Sequence, residues 1–267
     1  MVIGWSRSRV ERTERVDFAS LVIREGDRVT ASGRLVRDET GDWFEPPVPV
    51  TANFSLFRRV RPAWSGSVRI VGADFGAELT GRFERDGAVE GSAALTGTWA
   101  ADRLQVERQD LYVPQHREIP NWTVPPCPPP EGGWPHQTWV HGDLGDLRET
   151  GAAVAVTTFR PSEDQAVLVV AAADPEAVEA YLRPRLGQLL CVIPSKWTKA
   201  ELDAVGAHLL AHHDDWNLYS WGDTSTEDGQ ALITASLTRI LPEIATWAPS
   251  LPAGILGLEP WLSHAQP

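Results

Sequence analysis

The sequence has few cysteines, no long apolar run and, over its first 124 residues, no lysine. Each shortage excludes something. Two cysteines in 267 residues fit a reducing compartment better than a disulfide scaffold. Cys127 falls in a proline-rich stretch and Cys191 in an apolar one, so a bond between them is not expected, and Cys191 reads as a buried, inert thiol. The longest apolar run, Ala166 to Ala173, is far short of the roughly 20 residues of a spanning helix. The opening MVIGWSRSRVERTERVDF lacks the apolar core of a signal peptide. The expectation is a cytoplasmic protein without a membrane role, in which the sequons at Asn53 and Asn121 carry no meaning.

What is present is ordinary in amount and uneven in placement. Hydrophobic content of 42% and charged content of 22% suffice for a packed core. Residues 1–124 set 17 arginines against 18 acidic residues, whereas residues 125–267 set 7 basic against 18 acidic. The second half therefore carries a net charge of −11 of the chain's −12. Such a surface repels phosphate, which argues against nucleic-acid binding there.

Up to residue 115 the pattern is strand-like. Two extended runs flank Glu25-Gly26-Asp27, VPVTANFSLFRRV alternates at Val50, Ala52, Phe54 and Leu56, and Asp86-Gly87 marks a hairpin. Residues 1–115 are thus expected to form an antiparallel β-barrel or sandwich. The stretch GDRVTASGRLVRDETGDWFEPP, from Gly26 to Pro47, resembles the opening hairpin of an OB-fold barrel in its glycine placement. Residues 116–139, rich in proline and tryptophan, read as a surface linker.

From residue 140 onward an acidic α/β sandwich is expected, with the order βαβαββ. QAVLVVAAAD and QLLCVIPS read as buried strands, NLYSWGD and GQALITASLTRI as a further pair. One helix starts with Asp174 and Pro175 and stops at Gly187; Pro184 disturbs its last turn. Another starts at Thr198, with Glu201 completing a capping box. The whole is an α+β protein of two domains followed by an apolar tail, LPAGILGLEPWL, whose prolines exclude a regular helix or central strand. The tail is expected to cover the second domain's own sheet, or else to present a patch to a partner.

The densest group of chemistry-bearing residues is HLLAHHDDW, His208 to Trp216. On a helical wheel Leu202, Val205, Leu209 and Trp216 share the core face with His213, Asp214 points away, and His208, His212 and Asp215 form one stripe. His208 and His212, at i and i+4, are spaced for one metal ion, but H-L-L-A-H lacks the glutamate of the zincin pattern, so no metal is expected. Histidines suit the negative end of a helix, and two aspartates there mark its exit, with Asp215 placed to pair with His212. A second pairing of histidine with aspartate lies in PHQTWVHGD, and Ser195-Lys196 follows a strand, where serine ordinarily belongs to a turn. No G-x-S-x-G, G-x-x-x-x-G-K-[ST] or G-x-G-x-x-G occurs.

Twelve tryptophans are expected mainly in cores and seams. Trp134 and Trp139 are placed to join the two domains, and Trp261 lies in the tail. Taken together these features describe a cytoplasmic accessory or protein-binding protein with no cofactor, acting through a protein partner or as a homo-oligomer by its tail. One alternative is a metal-assisted hydrolase built on His208, His212 and Asp215. The other is single-strand nucleic-acid or sugar binding on the β domain, by tryptophans beside Arg58, Arg59 and Arg61.

Overall fold

The computed structural model describes residues 17–47, 66–85, 87–113, 122–138, 147 and 149–266. The chain is a mixed α+β protein dominated by strands. In the first part lie β1 (Arg28–Asp38), β2 (Gly41–Glu45), β3 (Val68–Val71), β4 (Thr80–Arg85), β5 (Ala88–Ala100) and β6 (Arg103–Leu111). Their buried residues alternate along β1 and β5, as a sheet with one face on a core requires. β1 pairs with β2, β2 with β3, β3 with β6 in parallel, β6 with β5, and β5 back onto β1. β4 hangs on the outer side of β5. Inside this sequence of pairings sit Val29, Leu35, Phe44, Leu95, Trp99 and Leu104.

One expectation about this part needs revision, and others fall outside the described residues. The run before Gly26 is no strand: Phe18–Leu21 is a short 3-10 turn capped by the Asp17 carboxylate, and only Val22 bridges, to Ile240. Val22 joins the second part's core, whereas Ile23 is buried in the first part's. The strand expected through Phe54, and Arg58, Arg59 and Arg61 with it, lie outside the described residues, as does Asp86 of the expected hairpin.

The second part contains β7 (Ala153–Phe159), β8 (Val167–Ala172), α1 (Pro175–Leu186), β9 (Leu190–Pro194), α2 (Lys199–Ala211), β10 (Leu218–Ser225), β11 (Ala231–Leu237) and α3 (Pro242–Trp247). The order from β8 to β11 is the expected βαβαββ; β7, whose alternation is masked by alanine and threonine, precedes it. β8 lies between β7 and β9 and is buried at every residue. Its Leu168, Val170 and Ala172 face Val178, Leu182 and Leu186 of α1. Asp174 accepts from Ala177 N at 3.1 Å, and Pro175 and Gly187 bracket α1 as expected. Pro184 is contained in the helix without ending it. On β11, Ala231, Ile233, Ala235 and Leu237 pack against Leu202, Val205 and Leu209 of α2.

The opposite face of β8 presents Val167 and Val169, and residues 122–138 lie across it. Trp122, Cys127 and Trp134 pack on these valines, Phe159 and Cys191. The stretch read as a linker is therefore a cover for this sheet. Cys127 and Cys191 form a disulfide with Cα atoms 5.8 Å apart, which corrects the expectation of two separate thiols. The two contexts looked unrelated because only folding lays the proline-rich cover on β9. Trp134 packs on this sheet and does not join the two parts, while Trp139 lies outside the described residues.

The tail divides its contacts. Ile255 is buried in the second part's core, and β12 (Leu256–Pro260) adds in parallel to the edge of β11. The chain then crosses over: Leu262 is buried among the side chains of the first part, and β13 (Ser263–His264) pairs with Val29 and Thr30 of β1. Trp261 lies 4.6 Å from the Phe44 ring and donates from Nε1 to Ser32 O at 2.8 Å. Gly33 makes this possible, since a Cβ there would stand 2.8 Å from the indole and 2.3 Å from Glu45 O. The apolar residues of the tail are thus taken up within the fold.

Two outcomes are expected. Trp261→Ala, which removes a ring and a hydrogen bond, lowers stability by about 2–4 kcal/mol in urea titration. Reducing the Cys127–Cys191 bond, whose partners are 64 residues apart, lowers the same midpoint by up to about 4 kcal/mol of stability, while alkylation without reductant modifies no cysteine.

Candidate functional site

The capping box decides where α2 begins. Thr198 Oγ1 accepts from Glu201 N at 3.2 Å, and Glu201 accepts from Thr198 N at 2.7 Å. Counting from there, Leu202, Val205 and Leu209 point inward and His208 sits beside that face, half-buried. The helix ends at Ala211, with His212 as its cap. The next residues turn, so the helical wheel fails beyond this point. His213 leaves the core face and meets Asp214 at 3.1 Å, which corrects its placement as a core residue. Trp216 is buried all the same, brought in by the turn that leads to β10.

Four rings result. His208 stacks on Trp247 of α3 at 4.4 Å, and its centroid is 4.6 Å from that of His212. His212 in turn stacks on Trp216 at 4.7 Å, and the two tryptophans approach to 5.2 Å. Burial pulls the His208 imidazole below its ordinary pKa, and the neighbouring His212 adds to the effect. Asp215 comes within 3.9 Å of His212, as the sequence suggested.

These rings form one wall of an open cleft of about 920 Å³ along the seam between the two parts. The opposite wall comes from the first part: Arg24, Glu25, Trp99 and Asp102. Asp102 and Ala101 turn the chain from β5 into β6 with φ of 54° and 51°, values rare for residues with a side chain. Both are held from outside the turn. The Glu25 carboxylate accepts from Ala101 N at 3.0 Å, and Arg239 donates to Asp102 at 3.1 Å. The Arg239 guanidinium also lies 4.6 Å over the Trp99 ring, a cation–π contact across the seam. Burial lowers its pKa, and the carboxylates of Asp102 and Glu243 oppose that shift.

His208, His212 and Asp215 therefore share this cleft. Among the described residues, however, no three histidine, cysteine, aspartate or glutamate side chains come together as metal ligands. The other candidates separate. His136 Nδ1 lies 2.5 Å from Asp164, and Ser162 donates to the same carboxylate at 2.6 Å. The carboxylate thus stands between serine and histidine, which is the wrong order for activating a hydroxyl. Ser162 and then His136 hold Asp164 below the ordinary carboxylate range. Ser195 donates to Trp197 O at 2.7 Å, and Lys196 pairs with Asp228 at 2.6 Å, so both serve the turn before α2. His141 and Asp143 lie outside the described residues.

Sequence reasoning missed Trp99, Trp247 and Arg239 as site residues. One signal was available for the last: Arg239 is the only lysine or arginine after Lys199 in the sequence. On the β face, Trp43 is covered by Arg69 at 4.1 Å, and Arg28, Arg37 and Arg108 each pair with a carboxylate. Comparison with protein-family models, curated proteins and solved structures returned no match. No helix among the described residues is long and apolar enough to cross a membrane.

The lowered pKa of His208 fixes a sign. The unfolded imidazole, near 6.5, binds its proton more readily than the folded one. The neutral ring's contribution is fully present above pH 6.5 and is lost as pH falls through the lower, folded value. Stability should fall on acidification from pH 6.5 down to that lower value, and His208→Phe should flatten this part of the profile in thermal melts.

Proposed function

We propose that the protein is an accessory protein without catalysis, made of two domains, that holds a partner protein in the cleft along their seam. The observation that carries this reading is the composition of the cleft: stacked tryptophans and histidines, with charged groups at the edges. Tryptophan and arginine dominate binding energy at protein interfaces because they combine large apolar area with directed polar contacts. The tail, expected either to cover the second domain's own sheet or to present a patch to a partner, makes its contacts inside the fold, so the docking role moves to the cleft.

The first domain is read as an OB-like barrel. Support comes from the closed succession β1-β2-β3-β6-β5-β1, with β3 and β6 parallel and the remaining pairs antiparallel. The second is read as the acidic α/β sandwich, covered by residues 122–138 in place of a free linker. For the compartment, the Cys127–Cys191 bond favours an oxidising setting over the cytoplasmic one suggested by cysteine scarcity.

A photo-crosslinking residue tests the docking surface. Placed at position 243, on the cleft, it should yield a defined protein adduct in the native extract; placed at position 176, on exposed α1, it should not. Identical adducts from both positions, or none from 243, reject the cleft as the binding surface.

A further inference from the structure

We infer that the occupant of the cleft is a basic segment of the partner protein, whose arginine or lysine side chain lies against Trp247 between Asp215 and Glu243. The inference rests on the docking reading above and adds the partner's chemistry. The first support is the balance of charge. Glu25, Asp102, Asp215 and Glu243 line the cleft against Arg24 and Arg239. The Arg239 charge is met by Asp102 at 3.1 Å and by the field of Glu243, and His208 is held toward its neutral form. The cleft is thus left negative, and one of its walls belongs to residues 125–267, which carry a net charge of −11. Such a field draws cations in and repels phosphate and acidic peptides.

The second support is independent of charge count. The cleft already accommodates a guanidinium on an indole, that of Arg239 over Trp99 at 4.6 Å. Trp247, half-buried, offers a second indole, held in place by the stacked His208 and by the buried Trp216 at 5.2 Å. A cation on a ring face combines quadrupole attraction with burial of its own apolar stem, which an exposed carboxylate alone does not offer. Asp215, 82% exposed in its side chain and 3.9 Å from His212, presents its carboxylate to solvent where such a charge would approach. The docking reading makes the cleft a protein-binding surface, and a segment of a protein is therefore the occupant chosen over a small amine.

The test uses the full chain labelled with 5-fluorotryptophan, its Trp247 fluorine signal assigned through Trp247→Phe. The probes are the peptides acetyl-GRGRG-amide, acetyl-GQGQG-amide and acetyl-GEGEG-amide, with spermine as a small-amine control. The arginine peptide is expected to shift the Trp247 signal and to bind about tenfold more tightly than the glutamine peptide, with the advantage shrinking as salt rises. The glutamate peptide should leave the signal unchanged. In the double variant Asp215→Asn, Glu243→Gln, both exposed positions, the advantage should fall to about twofold while the thermal midpoint stays constant. Equal binding of the arginine and glutamine peptides overturns the basic chemistry but leaves the cleft a docking surface. Spermine binding as tightly as the arginine peptide overturns the choice of a protein segment. No shift from any peptide, together with no adduct at position 243, overturns both readings.

Discussion

The crossing of the chain's last strand into its first sheet is the constraint on which the arrangement depends. β13 pairs with β1, Leu262 fills the first part's core, and Trp261 bonds to Ser32 over Gly33. Immediately upstream, β12 is fixed to β11. One extended segment is therefore hydrogen-bonded to both parts within a few residues, and their relative position follows from backbone geometry more than from surface contact. The Val22–Ile240 bridge, the Arg239–Asp102 pair and the bond from Thr238 to Gly66 O then align the rest of the seam.

The cleft is a product of that alignment. Neither part contains it alone: Glu25, Trp99 and Asp102 come from one, His208, Trp216 and Trp247 from the other. Its two walls are unlike in kind. The first is a turn of unfavourable backbone, kept in place by Glu25 and Arg239. The second is four rings stacked between the end of α2 and α3. Rings so packed lose little freedom when a ligand arrives, which favours binding.

Local chemistry was legible in the sequence, and long-range chemistry was not. The Asp174 and Thr198 caps, the limits of α1, the βαβαββ order and the His208–His212–Asp215 stripe all follow from spacings within a dozen residues. The stripe's geometry near its end did not, because a wheel presumes a helix and α2 stops at Ala211. Pairings across many residues left no trace in either partner's neighbourhood. Cys127 and Cys191 are 64 residues apart, and Trp261 finds Ser32 across most of the chain. The prolines near the tail were read correctly as barring a central strand, since β12 is an edge; what they could not reveal was where the chain goes next.

The strand that completes the first sheet is synthesised long after β1, the strand it pairs with. β1 can find β2 and β5 early, but its pairing with β13 and the burial of Leu262 wait until some 230 further residues have emerged. Until then the first part has an open edge at Val29 and Thr30 and an unfilled place over Gly33. Synthesis order thus gives the nascent chain an interval in which a strand from elsewhere, including a neighbouring nascent copy, can occupy the position of β13. A cell making this protein meets that interval with every molecule, and the closing of the seam is its end.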